Sequence, residues 1–143
     1  LGIDARGCLT ITAPYLDNRT VITNDIVDLY DSHHFIWKGR WDHVINSGSI
    51  KLHPEIIEAK LSPYLNFRFI IFGIQNKDFG ERPAILIEHK EIQNIDYFDK
   101  IFRSKLHKIE IPEAIYIVDQ MVETENGKIN RTKSISKAKL LKI

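Results

Sequence analysis

Apolar and polar residues alternate along the first forty positions with the two-residue period of a strand. "CLTITA" at 8–13 predicts a strand that stops before Pro14, because the residue preceding a proline is pushed toward extended backbone. "LDNRT" reads as a turn. "VITNDIVDLY" predicts one or two short strands, broken at Asn24-Asp25. "DSHH" is a polar loop, and "FIWKG" is a strand that ends at Gly39. No helical period occurs before residue 50. The opening portion is therefore expected to be a β-meander with few core positions, in need of other structure to pack on.

The pattern then changes. "HVINSGSIKL" predicts a hairpin, two β-rich arms around Ser47-Gly48-Ser49. His53-Pro54-Glu55 opens a helix, with proline at its first position and acids in its first turn. Ile57, Leu61 and Leu65 repeat at four-residue spacing and give it a buried side. "FRFIIFGI" predicts a strand in a central position, and "RPAILIEH" its hairpin partner, with "QNKDFGE" between. Asn94 is placed to cap a helix over residues 95–108, where Ile95, Phe98, Phe102 and Leu106 share one face. "EAIYIVD" is a third strand, "ETENGK" turns at Asn126-Gly127, and Thr132 caps a final helix carrying the chain's basic tail. The order β-β-α-β-β-α-β-α describes an α+β unit of roughly 100 residues. It holds a β-hairpin and a three-stranded sheet flanked by helices.

Composition adds a few limits. The 143 residues are 43% hydrophobic and 27% charged, as in a folded domain rather than a disordered chain. The net charge of +1 creates no field that demands nucleic acid or membrane. The charge is uneven, however. Six cations and no acid lie from Lys128 onward, so the first 127 residues carry a net −5. Cys8 is the only cysteine and forms no internal disulfide. "LGIDARGCLT" lacks the basic flank and apolar run of a secretory signal, and "FIIFGI" is far short of the ~20 residues of a membrane span. A reducing cytoplasm is the expected compartment. The chain starts without Met, as a piece of a longer protein would.

Local chemistry offers few candidates. Arg40 and Asp42 sit two apart at the junction of the two portions. One reading is a surface ion pair of little energetic worth. The other is a hinge beside an arginine whose planar fork grips phosphate or ribose. Gly48 is either a turn residue supplying positive φ or a place where a ligand passes close to the backbone. Lys128, behind an Asn-Gly turn, is either an ordinary exposed lysine or a single cation presented at a tip. The six histidines form no ligand pattern, so no metal site is expected. No GxxxxGK[ST] phosphate loop occurs.

Taken together, three stretches resemble the acyl-adenylate-forming enzymes: acyl-CoA synthetases, luciferases and peptide-synthetase adenylation domains. "TNDIVDL" at 23–29 resembles the family's ribose motif, "GRWDHVINSGSIKLHPEIIE" its hinge and following loop, and "ENGKINR" at 125–131 its C-terminal catalytic-lysine motif. Their order and spacing fit as well. The resemblance covers nearly the whole chain but only about the last third of such an enzyme. It implies that residues 1–41 end the large N-terminal AMP-binding domain and that residues 42–143 form the small mobile C-terminal domain. Within the family, "INSGSIKLHPEIIE" is most similar to the corresponding segment of o-succinylbenzoate–CoA ligases of menaquinone synthesis.

The resemblance implies a two-step reaction: a carboxylic acid and ATP give an acyl-adenylate and pyrophosphate, and coenzyme A then displaces AMP. It assigns Lys128 as catalytic, Asp25 and Arg40 as nucleotide-binding, Asp42 as the hinge, and Gly48 and Ser49 to the CoA channel. Mg²⁺ would accompany ATP, held mainly by the part of the enzyme outside this chain. The isolated chain is expected to be inactive, for want of the phosphate loop. Two positions depart from the pattern: Asn24 and Ser49 stand where the family usually has glycine. The partners implied are small molecules, with no nucleic acid and no membrane. The alternative is a small nucleic-acid-binding or regulatory α+β module that uses the basic tail.

Overall fold

A computed structural model describes residues 1–141. The chain divides into two compact units, Leu1–Val44 and Ile45–Ile143, whereas the sequence suggested a border between residues 41 and 42.

The first unit is an antiparallel sheet in the order β1-β2-β3-β4, built from β1 (Gly2–Ile3), β2 (Cys8–Thr12), β3 (Thr20–Leu29) and β4 (Phe35–Arg40). The expected break at Asn24-Asp25 does not end the strand: β3 runs through both residues, but its pairing with β2 is irregular there, with Cys8 opposite Ile26 and Thr10 opposite Ile22, and its register against β4 slips between Ile26 and Val27. The slip absorbs an extra residue without ending the strand. Short 3₁₀ turns lie at Pro14–Leu16 and Trp41–His43.

The second unit holds one six-stranded sheet, larger than the three-stranded sheet the sequence suggested, because the hairpin and the tail both join it. Its strands are β5 (Ile45–Ser47), β6 (Ile50–Leu52), β7 (Phe69–Asn76), β8 (Gly80–Glu88), β9 (Ile115–Val118) and β10 (Lys139–Leu141). The order is β10-β9-β8-β5-β6, with β7 beside β8. β8, not β7, is therefore the central strand. It pairs antiparallel with β7 along residues 80–87, parallel with β9 along residues 85–88, and meets β5 at Gly80. Burial follows this arrangement: Arg82 to Ile87 are buried without interruption.

Helix α1 (Pro54–Leu61) begins at the predicted proline and buries Ile57 and Leu61. Leu65 is buried too, in the turn after the helix, where its N–H bonds to Leu61 O. In α2 (Ile95–Lys105) the Asn94 side chain accepts from Tyr97 N–H at 3.2 Å, and Phe98 and Phe102 are buried. The helix stops before residue 108 because Leu106 turns extended, and Glu110 then accepts from His107 N–H to close a 3₁₀ turn. The last helix, α3 (Arg131–Ser136), is capped by Asn130, not Thr132: Asn130 Oδ1 accepts from Lys133 N–H at 3.0 Å. The tail then leaves the helix and becomes β10, antiparallel to β9.

The strand period places two hydrophobic layers on the sheet. On one face Ile45, Ile71, Ile85, Ile87 and Ile115 pack with Ile57 and Leu61 of α1 and Phe98 and Phe102 of α2. On the other, Ile70, Leu86, Val118 and Met121 pack with Ile129 and with Ile135 of α3. No described helix is long and apolar enough to cross a membrane.

Candidate functional site

The first unit brings Asp25, Arg40 and Asp42 together. Asp25 and Arg40 face each other across the β3–β4 ladder, which puts their side chains on one side of the sheet. Thr23 fixes the approach to Asp25: its hydroxyl accepts from Asp25 N–H at 3.1 Å and donates to Leu9 O at 2.9 Å. The Asp25 carboxylate accepts from the Trp37 indole N–H at 3.2 Å. Asn24 lies in extended strand with no positive φ, so this position does not need glycine's backbone freedom.

The Arg40 fork reaches forward to Asp42. Nε donates to Oδ1 at 3.1 Å and Nη2 to Oδ2 at 3.4 Å. Their side chains are 41% and 51% exposed, so the pair is worth at most about 1 kcal/mol. Burial pushes the Asp42 pKa up, but the Arg40 hydrogen bond, a backbone N–H and the nearby charges of Arg40 and His43 together more than offset this, and the carboxyl stays below its ordinary value. Asp42 is the middle residue of the 3₁₀ turn Trp41–His43.

Sequence reasoning passed over Arg6 in this unit. Its guanidinium pairs with Asp4 at 2.8 Å, donates to Asn24 Oδ1 at 3.1 Å and to Thr23 O at 3.2 Å, and lies 5.8 Å from the Trp41 ring centroid. It thus props the segment before Asp25. The one local signal was the turn-forming "DARG".

Gly48, Ser49 and Lys128 belong to the second unit. Ser47 pairs with Ile50, which leaves Gly48-Ser49 as a two-residue hairpin loop. Gly48 has φ +62° and Ser49 has no positive φ, the combination a type II′ turn requires. A Cβ on Gly48 would stand 3.7 Å from Phe79 Cδ1, an ordinary contact, so the backbone rather than the space calls for glycine. Gly48 N–H donates to Phe79 O at 2.7 Å, and Asn46 N–H to Glu81 at 2.7 Å, which ties this hairpin to the β7–β8 hairpin. Behind them the buried Arg82 donates to Glu113 at 2.9 Å and to Ile109 O at 3.1 Å, with its guanidinium 5.4 Å from the Phe79 ring centroid.

Lys128 stands at an exposed tip between β9 and α3. Thr124 N–H donates to Lys128 O at 2.7 Å, Gly127 N–H to Thr124 O at 2.9 Å, and Lys128 N–H to Thr124 Oγ1 at 3.2 Å. Gly127 has φ +73° and open space where a Cβ would be. The Lys128 ammonium has no hydrogen-bond or ion-pair partner among the described residues.

Arg131 points inward, whereas Lys128, Lys133, Lys137 and Lys139 are exposed. Both Glu58 oxygens accept from its Nη2 at 2.7 Å, and Ile71 O accepts from its Nη1 at 2.9 Å. Glu58 closes "GRWDHVINSGSIKLHPEIIE" and Arg131 closes "ENGKINR", so the two motifs are joined at their ends. No local signal could reveal a pair 73 residues apart. Among the described residues no group of three or more His, Cys, Asp or Glu side chains is arranged to hold a metal ion.

No protein-family model matches the chain. Curated relatives include the 3-oxocholest-4-en-26-oate–CoA ligase of Rhodococcus rhodochrous, 29% identical over 93 residues, which covers 63% of this chain and 17% of that protein. They also include the 2-succinylbenzoate–CoA ligase of Listeria monocytogenes, 26% identical over 136 residues, 87% of this chain and 29% of that one. A solved acyl-CoA synthetase (AMP-forming)/AMP-acid ligase II-like protein from Dyadobacter fermentans superimposes with a TM-score of 0.64 at 28% identity, over 95% of this chain and 40% of its own. The o-succinylbenzoate CoA synthetase of Bacillus subtilis, solved with its acyl-adenylate intermediate, gives 0.71 at 21% identity, over 87% and 26%. The chain thus spans well under half the length of these proteins. Its fold is the mixed α+β fold of the C-terminal domain of acyl-CoA synthetases, and its relatives and structural neighbours include AMP-forming acid–CoA ligases.

Proposed function

We propose that this chain is the C-terminal part of an ATP-dependent acid–CoA ligase and that its second unit delivers Lys128 to a nucleotide bound by the rest of the enzyme. The observation that carries this reading is the Lys128 tip: an exposed glycine turn presenting an ammonium with no partner among the described residues. In the first half-reaction a carboxylate oxygen attacks the α-phosphorus of ATP, and the bond to the pyrophosphate oxygen breaks. Negative charge gathers at the phosphoryl oxygens in that transition state. A positioned ammonium in a closed site stabilises it, and also relieves the repulsion between two anions brought together.

In the second half-reaction the CoA sulfur attacks the acyl carbon and AMP leaves. Asp25 is proposed to accept hydrogen bonds from the ribose hydroxyls, and Arg40 to reach the ribose or phosphate once its surface pair with Asp42 opens. That pair is weak enough to open readily. Asp42, on a short 3₁₀ turn, is the proposed pivot, and the Gly48-Ser49 turn the proposed wall of the CoA channel. Mg²⁺ would accompany ATP, held mainly by the part of the enzyme outside this chain. The proposed acid is o-succinylbenzoate, supported by the hinge segment and by a relative matched over 87% of the chain.

The test uses the full-length protein, with ATP–pyrophosphate exchange measured against o-succinylbenzoate, a long-chain fatty acid and a steroid carboxylate. Lys128→Ala is expected to slow exchange about 100- to 1,000-fold or more while sparing thioester formation from supplied acyl-adenylate. Equal loss in both half-reactions removes Lys128 from its role. Asp42→Pro is expected to do the opposite, sparing exchange and slowing CoA transfer, because proline fixes φ at the pivot. An unchanged CoA step argues against a hinge there. Exchange with none of the three acids sets aside the acids named here.

A further inference from the structure

We infer that the Glu58–Arg131 pair is a positioning device for the Lys128 tip; this rests on the reading of Lys128 as catalytic. The tip has two feet. The leading foot is Glu123, bridged to Ile129 and paired with Arg68 at 2.8 Å, with side chains 47% and 41% exposed. The trailing foot is Arg131, three residues beyond Lys128, whose side chain is 17% exposed against Glu58 at 20%. The first pair is open to water and salt; the second is shielded and held by two equal 2.7 Å bonds. Of the two, Arg131 is thus the firmer tie between the tip and the body of the unit.

The place where this tie lands matters. Ile71 lies on β7, whose other side pairs with β8. On the outer side, Ile71 N–H donates to Glu58 Oε1 at 2.7 Å and Ile71 O accepts from Arg131. Glu58 comes from α1, in the layer on one face of the sheet. Arg131 opens α3, in the layer on the other face. The pair therefore closes around the edge of the sheet and joins the two layers at one residue. It also fixes the start of α3, and so the direction in which residues 124–130 leave the body. Lys128 reaches its target only if that direction holds. A shift of about 1 Å in a reacting group costs on the order of 100-fold in rate.

A plainer role is also available: the two side chains satisfy an open strand edge and nothing more. Glu58→Gln and Arg131→Lys in the full-length enzyme separate the two. Positioning predicts an adenylation kcat about 10- to 100-fold lower, KM values for ATP and acid within about 2-fold, and thioester formation from supplied acyl-adenylate within about 2-fold. Arg131→Lys keeps the charge but loses the fork, and is expected to lie between wild type and Glu58→Gln. A second readout needs no activity. In this chain, Glu58→Gln is expected to speed amide hydrogen exchange at Thr124, Gly127 and Asn130 while Ile85 to Ile87 stay protected.

An edge-capping role alone predicts faster exchange at Ile71 with an unchanged tip, or equal loss in both half-reactions with a lower Tm, and either result overturns the inference. Failure of both variants to fold overturns it as well, since the pair would then be holding the fold rather than aiming the tip. Lys128→Ala is the control: if it leaves adenylation intact, the ligase reading has failed, while the exchange experiment still reports on the tip.

Discussion

The two units reach order by different means. In the first, only Cys8, Leu9 and Val27 are buried apolar side chains, while Ile3, Val21, Ile22, Phe35, Ile36 and Trp37 are exposed. Its sheet is held by ladder bonds and by polar ties such as Asp4, which accepts from the N–H groups of Arg6 and Cys8 at 2.8 and 2.9 Å. The second unit buries two hydrophobic layers, one on each face of a single sheet. A sheet covered on both sides is a rigid base for loops; a sheet with exposed isoleucines has apolar surface left to cover. The proposed division of labour follows the same line, with contacts to nucleotide in the first unit and the moving lysine on the second.

The contrast can be tested by mutation. The largest effect is expected for Leu86→Ala, which removes a fully buried side chain from the central strand; denaturant unfolding of the second unit should show a loss of about 2–5 kcal/mol. A loss near zero would mean that the layer repacks freely, and that the contrast between the units is overdrawn. Acid should act on the first unit. Hydrogen bonds from Cys8 N–H and Arg6 hold the Asp4 carboxyl below its ordinary value despite burial, and those from His33 and His34 do the same for Asp31. Asp42 is lowered as well. A depressed carboxyl contributes stability above its unfolded pKa, near 4, and loses it as pH falls through the folded value. Near-UV spectra of Trp37 and Trp41 should therefore change as the pH drops below about 4. The smallest effect is expected for Ile36→Ser, 53% exposed, at under about 0.5 kcal/mol in this chain. A clearly larger cost in the longer protein would mark that surface as covered there.

Much of the second unit was legible. The proline-led start of α1, the Asn94 cap, the Gly48 turn and the Asn126-Gly127 turn are local chemistry, and local chemistry is what sequence patterns report. Which arm of the β7–β8 hairpin is central was not legible, because both arms are apolar and the choice depends on β8 pairing in parallel with β9, across α2. The fate of the tail was hidden for the same reason: β10 exists through its pairing with β9. Thr132 was a plausible cap, yet Asn130 reached the free N–H two residues earlier. In the first unit, Asn24-Asp25 looked like a break because both residues disfavour strands; Thr23, Arg6 and Trp37 hold them in one. The site residues could be located only through the motifs that contain them. Glu58 ends one motif and Arg131 ends another, and nothing in the sequence says that they meet.

The stitch at Ile71 has an effect on neighbours as well as on the tip. A strand from a second molecule could extend this sheet along β7 only by taking up the backbone groups on its free side, and at Ile71 an acid and a base already occupy them. An arriving strand would have to expel a charged pair before it could lie down, which makes that margin a poor seed for polymerisation.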